Sequence, residues 1–247
     1  MKKFTKISLI LAAVLAVAGI AFCVAGFVCG VDYEKLREIP LYRDRRTTVT
    51  EESGKIEFSE TYAGIRSLEL DIGVTEMKIT DSADDKFHVY GSNLGSSFQC
   101  RQDGDSLEIE SKGKLWIDKN LSEKVTVEVP EGTVFEDVDM TVGIGSLEAE
   151  NLQCGELSID CGVGSVFVNG SVREDCEIDC GVGEVSLNLV NLKDEFNYDI
   201  QCGIGEVILG ENSYSGISKT KEIDNGADKD MDIECGVGSV MVTFGEE

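Results

Sequence analysis

Apolar and polar residues alternate in a unit that recurs through the second half of the chain. In the segment 178–187, IDCGVGEVSL, the positions of Ile178, Cys180 and Val182 alternate with polar residues or glycine. This period of two predicts a β-strand that buries one face. The apolar series resumes at Val185, three positions later, so the chain must turn a corner at the second glycine. Each unit is therefore predicted to be a strand, a corner, a second strand and a return loop.

Further copies of the unit follow the same pattern. They are MTVGIGSLEA (140–149), IDCGVGSVFV (159–168), IQCGIGEVIL (200–209), IECGVGSVMV (233–242) and a weaker copy, LDIGVTEMKI (70–79). The glycines predicted to form the corners are Gly143 and Gly145, Gly162 and Gly164, Gly181 and Gly183, Gly203 and Gly205, and Gly236 and Gly238. The leading glycines are spaced by 19, 19, 22 and 33 residues. Units of this period stack, because one unit alone cannot bury its apolar face.

The predicted fold class is all-β: a parallel β-helix, or β-solenoid, with a glycine corner in each coil. Residues 140–247 are predicted to form the regular repeats. Residues 61–139 contain short strands without the glycine signature, at 87–90, 106–109 and 125–129, and are predicted to form irregular first coils.

The amino-terminal segment predicts a membrane anchor. Three lysines precede an apolar run over residues 7–31, and about 25 helical residues are long enough to cross a bilayer. We predict one transmembrane α-helix over residues 1–31, a juxtamembrane stalk over 32–60, and the β-domain over 61–247. A cleaved signal peptide is the alternative. Five basic residues also follow the run, so charge gives no clean orientation; we expect a single-pass protein of the bacterial cell membrane with its large domain outside the cytoplasm.

The strand VTVEVPEGTVF (125–135), followed by repeated GxG units, resembles the bacterial "putative adhesin" family of β-strand-repeat proteins, a domain of unknown function often found behind a transmembrane helix. The resemblance covers roughly residues 61–247. It implies a parallel β-helix at the cell envelope, with a role in adhesion, and it supplies no catalytic residues.

Nine cysteines raise the question of a metal or redox site. Four of them, Cys161, Cys180, Cys202 and Cys235, occupy one position of the repeat, where two other copies carry Val142 and Ile72. This exchange predicts an apolar, inward-facing slot in which cysteine packs as a small hydrophobic residue. There is no CxxC pair, and the seven cysteines after residue 31 are an odd number, so neither a zinc site nor a disulfide framework is indicated.

Acidic residues dominate the charge of the chain, which is −25. This balance excludes nucleic acid as a partner, since phosphate binding needs a basic surface. Stacking the units would place carboxylates in columns on the outside: Asp160, Asp179 and Glu234 in one, and Glu177, Asp199 and Asp232 in another. Carboxylates that face one another repel, and Ca²⁺ would relieve the repulsion. The alternative is a solvated acidic face without a metal, and no other cofactor is expected.

Catalysis finds little support in the sequence. His88 is the single histidine, and we predict it to lie in a strand without an evident partner. The GxG pairs lack the third glycine and the following helix of a nucleotide-binding loop. We therefore expect no enzymatic activity; the remaining enzyme hypothesis is polysaccharide cleavage by paired carboxylates. The expected function is a structural or adhesive module that binds an envelope polymer or another membrane protein. The alternative is an envelope-stress sensing or signalling component that acts through a partner membrane protein.

Overall fold

The structure is a computed structural model that describes residues 56–112 and 123–245. Its strands are β1 (Ile56–Tyr62), β2 (Ser67–Ile72), β3 (Thr75–Asp81), β4 (Phe87–Leu94), β5 (Gln99–Asp103), β6 (Ser106–Ser111), β7 (Glu123–Val129), β8 (Phe135–Val142), β9 (Ser146–Cys161), β10 (Ser165–Val172), β11 (Cys176–Cys180), β12 (Glu184–Leu189), β13 (Phe196–Leu209), β14 (Asn212–Ile223), β15 (Lys229–Cys235) and β16 (Ser239–Thr243). A 3₁₀ turn, Lys193–Glu195, precedes β13.

The strands pair side by side in two walls that meet at the glycine corners. The first wall has the order β6, β2, β8, β9, β11, β15, β13, and all of these pairs are parallel. The second wall has the order β7, β3, β9, β10, β12, β16, β13, again parallel. Alternate residues of each strand are buried, as in β11 and β12, and together they form one apolar core between the walls.

The two walls are not separate sheets, because two long strands belong to both. β9 runs from the second wall into the first wall of the following unit, and β13 runs from the first wall through its corner into the second. Seven parallel strands therefore close into a ring in the order β9, β10, β12, β16, β13, β15, β11 and back to β9. Together with the flanking strands they form one sheet of 16 strands.

The predicted fold class, a parallel β-helix behind a transmembrane α-helix, is wrong, although the all-β character is right. A parallel β-helix has separate sheets, whereas here the strands form one sheet that closes into a hydrogen-bonded ring. The units also do not stack in the order in which they follow one another along the chain. In the described parts of the chain, 56–112 and 123–245, no helix is long and apolar enough to cross a membrane. The transmembrane helix predicted over residues 1–31 and most of the predicted stalk lie outside these parts, and β1 begins at Ile56, inside the segment predicted as stalk.

The last unit of the chain is inserted between two earlier ones. β15 lies between β11 and β13, and β16 lies between β12 and β13. The connection from β14 to β15 passes around the start of β13, where Asn197 holds it: its Oδ1 accepts hydrogen bonds from the amides of Asn225 (3.0 Å) and Ala227 (3.1 Å). Its Nδ2 donates to the Ala227 carbonyl (2.9 Å) and to Asp230 (3.0 Å). These four bonds fix the crossing.

Antiparallel strands cover the ends of both walls. β4 pairs antiparallel with β7 and is itself covered by β1. At the same end of the stack, β5 covers β6, and at the other end β14 follows β13 through its corner. The three short strands predicted in residues 61–139 lie within β4, β6 and β7, but their antiparallel partners were not predicted.

Candidate functional site

The corners bring the backbones of successive units so close that the second glycine of each pair leaves no space for a side chain. A Cβ atom added at Gly183 would lie 2.4 Å from the Gly164 carbonyl oxygen and 3.0 Å from the Cys161 sulfur. A Cβ at Gly205 would lie 2.4 Å from the Gly238 oxygen. The repeated glycines are therefore required by this close approach.

The four repeated cysteines lie inside the ring, directly before the corners. Their order across the wall is Cys161, Cys180, Cys235, Cys202, because of the inserted last unit, and Val142 and Ile72 continue the row beyond Cys161. All four are at most 3% exposed. Backbone amides at the corners hydrogen-bond to the sulfurs, as Gly238 does to Cys235, while burial raises the pKa of the Cys235 thiol to about 11. Packing at the corner is therefore a sufficient reason for cysteine here.

The middle residue of each corner points outward, and together these residues form what we call the aliphatic ridge. Its members are the corner residues Ile144, Val163, Val182, Val237 and Ile204, together with Ile217 of the neighbouring strand β14, and 46 to 79% of each residue is exposed. The first five follow one another across adjacent strands; the Val182 amide, for example, donates to the Gly162 carbonyl at 2.7 Å. Ile217 lies opposite Ile204 on β14. The prediction that Val182 faces inward is wrong, because the backbone turns between the two glycines and reverses the alternation there.

This ridge concentrates the exposed apolar surface of the described residues. Six of their eight exposed large hydrophobic residues belong to it. Single exposed apolar residues are common on any protein surface, but a contiguous stripe marks an interaction site or an aggregation hazard. Six strands at about 4.8 Å spacing give the ridge a length of roughly 24 Å.

The outer face of the first wall, here called the acidic wall, carries two rows of carboxylates beside the ridge. In strand order they are Glu108, Glu69, Asp139, Glu177, Asp232 and Asp199 in one row, and Glu110, Asp71, Asp160, Asp179 and Glu234 in the other. Burial raises the pKa of Asp139, Asp179 and Asp232, and neighbouring carboxylates raise it further. Arg101 and Lys112 neutralise the β6 end of the wall, through Glu108 and Glu110.

All six carboxylates predicted as candidate calcium ligands lie on the acidic wall: Asp160, Asp179, Glu234, Glu177, Asp199 and Asp232. They lie in two rows that cross the strands, and each strand contributes at most one carboxylate to a row. The six side chains are therefore spread over the wall and do not converge on a point. Across residues 56–112 and 123–245, no three His, Cys, Asp or Glu side chains form a group that could hold a metal ion. The wall is therefore an extended negative surface, which attracts cationic groups along its whole length.

The outer face of the second wall carries few charges in its middle, which was not predicted from the sequence. Its middle strands β10, β12 and β16 carry mainly uncharged residues, and we call this surface the neutral wall: Ser165, Phe167, Asn169, Glu184, Ser186, Asn188, Ser239, Met241 and Thr243. The signal was present in the repeat, because residues before the corner are mostly Asp or Glu and those after it are mostly Ser, Asn or Thr.

A cleft of about 440 Å³ adjoins the neutral wall where the second wall ends. Its polar lining includes Asp81, Glu131, Asn151 and Asn169. A larger, more open depression of about 630 Å³ lies beside β14, lined by Lys193, Tyr214 and Lys221 among others.

His88 does have partners, contrary to the prediction. Its Nε2 lies 2.9 Å from Asp84 Oδ1, and its Nδ1 lies 3.1 Å from Thr61 Oγ1. The ring also stacks on Tyr90, with centroids 6.1 Å apart. The hydrogen bond to His88 lowers the pKa of Asp84. This trio ties β1 to β4 on the open surface.

A ring of repeated β-units with two large exposed faces defines this chain as a repeat-built, all-β domain. The comparisons with known proteins agree with that class. Residues 45–209, well over half of the chain, match the family described as the N-terminal domain of toast_rack, DUF2154, and the chain belongs to this family. No curated protein matches the chain.

Solved structures of bacterial proteins are similar to this chain. One is a "putative cell adhesion protein" from Clostridium sporogenes, with 19% identity, 76% of this chain and 100% of that chain covered, and a TM-score of 0.55. At this identity the similarity shows a shared fold. Another is a "putative adhesin" from Bacteroides fragilis, with 16% identity, 77% and 98% of the two chains covered, and a TM-score of 0.39, from which nothing further follows.

Proposed function

We propose that this chain is a non-catalytic interaction module of the bacterial cell envelope, which binds a protein partner along the aliphatic ridge and the acidic wall. The observation that carries the proposal is the ridge itself: a continuous row of exposed β-branched side chains, most of them between the two corner glycines, that contribute nothing to the core. Exposure of such a row is unfavourable in water, so burial against a partner would be favourable.

The flanks of the ridge define the chemistry of the partner. Asp160, Asp179 and Glu234 lie three residues before the ridge positions of their units, and Glu184 and Glu206 lie two residues after. A partner that pairs aliphatic side chains with flanking lysines or arginines would match this pattern in shape and charge. A second copy of the chain does not fit, because each carries a net charge of −25 and two acidic flanks would face one another.

The cell-envelope location rests on the amino-terminal segment and on the kind of protein that shares the fold. Residues 7–31 are apolar enough to hold the chain at the cell membrane. The structure from Clostridium sporogenes bears the name of a cell adhesion protein. Protease shaving of intact cells tests the location: loss of the domain signal would support display outside the cytoplasm, and full protection would contradict it.

Binding through the ridge is tested with a labelled peptide of alternating lysine and valine and the full-length chain. The test variant replaces Val163, Val182 and Val237 together by threonine. Each substitution keeps the shape of the side chain but exchanges one methyl group for a hydroxyl group. At about 0.8 kcal/mol for each buried group, the affinity should fall at least tenfold. The matched control is Val190→Thr, which is 70% exposed but lies outside the ridge. Equal affinities for the ridge variant and the unchanged chain would refute this proposal.

A further inference from the structure

The neutral wall departs from the composition of the rest of the chain. Eight of its nine outward residues on β10, β12 and β16 are uncharged, Glu184 being the exception. On the acidic wall, the strands β9, β11 and β15 of the same three units have carboxylates at five of the six positions in its two rows. The contrast indicates that the two faces meet different partners.

An apolar strip crosses the centre of the neutral wall. Phe167, Met241 and Ile208 occupy outward positions of one row, with Ser186 between the first two. All four are half-buried, so their upper surfaces are available to a ligand. An aromatic ring in such a row offers a flat apolar platform with a defined geometry.

Amide and hydroxyl groups line the strip on both sides. Ser165 and Ser239 lie on the side of the corner, with the one carboxylate, Glu184, between them. Asn169, Asn188 and Thr243 lie on the side of the cleft. The Thr243 hydroxyl donates to Asn188 Oδ1 at 2.7 Å, which fixes the amide and leaves its NH₂ group as a donor. Amides and hydroxyls both donate and accept hydrogen bonds without carrying a charge.

The cleft continues this surface, and one side of it is formed by a β-bulge in β9. The pairing of β9 with β10 shifts by one residue between Val168 and Gly170, so that β9 carries a bulge at Asn151. Asn151 has a left-handed backbone (φ 55°) and donates to Asp81 Oδ2 at 2.7 Å. Gly170 permits the bulge, because a Cβ there would lie 1.8 Å from the Leu152 carbonyl oxygen. Bulges and left-handed non-glycine residues are over-represented next to binding and active sites.

From these features we infer that the neutral wall and its cleft bind an uncharged polysaccharide chain. Sugar rings present C–H faces that pack on Phe167 and Met241, and hydroxyl groups that pair with the rows of amides and hydroxyls. The cleft would take one end of the bound segment, with Asn151 and Asn169 as hydrogen-bonding groups. Absence of charge in the ligand follows from the near absence of charge on β10, β12 and β16. The cleft carboxylates, Asp81, Glu131 and Glu150, would accept hydrogen bonds from sugar hydroxyls. Apart from Glu184, which also flanks the ridge, this site uses none of the residues of the ridge or the acidic wall, so it does not depend on the function proposed above.

The test uses the full-length chain with three uncharged hexasaccharides, those of glucose (cellohexaose), mannose and N-acetylglucosamine, and with two charged ones, the cationic chitosan hexamer and the anionic hyaluronan hexamer. We expect saturable, salt-insensitive binding of at least one uncharged hexamer. Phe167→Ala should weaken it about tenfold or more, since the stacking platform is lost. Asn169→Ala should weaken it as well.

The control variants are Asp179→Asn on the acidic wall and Ile204→Thr on the ridge, and neither should change binding of the uncharged hexamer. Unchanged circular dichroism of Phe167→Ala will show that its fold is intact. The inference is overturned if uncharged hexamers of glucose, mannose and N-acetylglucosamine all fail to bind. It is also overturned if only the cationic hexamer binds and salt abolishes that binding, because the sugar would then occupy the acidic wall.

Discussion

A single methyl group at the second glycine of a corner should destabilise the whole ring. In Gly183→Ala, the new Cβ would lie 2.4 Å from the Gly164 oxygen, where ordinary contacts begin near 3.4 Å. The Gly164 oxygen cannot swing aside, because it accepts the Glu184 amide at 3.0 Å. The two units must therefore separate by about 1 Å, which weakens that hydrogen bond and the neighbouring one from Val182 to Gly162. Overpacking of about 1–3 kcal/mol and two damaged hydrogen bonds of about 1 kcal/mol each give a loss of roughly 3–5 kcal/mol.

The assay is urea-induced unfolding of the full-length chain in mild detergent, followed by circular dichroism, together with the thermal midpoint. For a domain of this size a loss of that amount lowers Tm by about 6–20 °C. The matched control is Val182→Ala in the same corner, whose side chain is exposed, and its stability should stay within about 1 kcal/mol of the unchanged chain. A Gly183→Ala protein as stable as this control would show that the corners are looser than the close approach indicates.

Two further outcomes follow from the crossing connection and from the acidic wall. Asn197→Ala removes four hydrogen bonds that hold the last unit in place and should cost about 2–3 kcal/mol by urea titration, whereas Asn212→Ala on the exposed edge strand should cost almost nothing; equal losses would contradict the role of the crossing. The folded state holds protons on Asp179 and Asp232 more tightly than the unfolded chain does, so stability should fall as pH rises from about 4 to neutrality. Tm should accordingly be higher at about pH 5 than at pH 7 and should rise with salt at pH 7, and a Tm that falls on mild acidification would contradict this. At lower pH the trend reverses, because the pKa of Glu195, lowered to about 2 mainly by its hydrogen bond with Lys229, marks a stabilising pair that is lost on protonation.

The repeated unit made the strands, the corners and the buried cysteine row readable from the sequence, because period-two alternation and paired glycines have direct physical causes. The order of the units was not readable. Every unit carries the same apolar and glycine positions. On this pattern alone, β13 could pair with β11 in the same register in which it pairs with β15. The choice is made by the hairpin of β13 and β14 and by the Asn197 crossing, neither of which has a periodic signal.

The outward surface was predictable only in part. The acidic columns follow from position in the repeat, and they lie on one wall as expected. The ridge was missed because continuing the alternation through a corner assigns Val182 to the core, whereas the turn at Gly181 and Gly183 reverses it. The cleft depends on a one-residue bulge at Asn151, which no apolar pattern marks.

The insertion of the final unit has a consequence for how the protein is made. β13 and β14 leave the ribosome before the strands that will separate them from β11 and β12 exist. A nascent chain lacking only its last twenty residues would thus be missing an interior layer rather than an end piece. Synthesis must run almost to completion before β13 and β14 can join the rest of the sheet, so stalled or clipped chains should be left open between β11 and β13 and exposed to proteases.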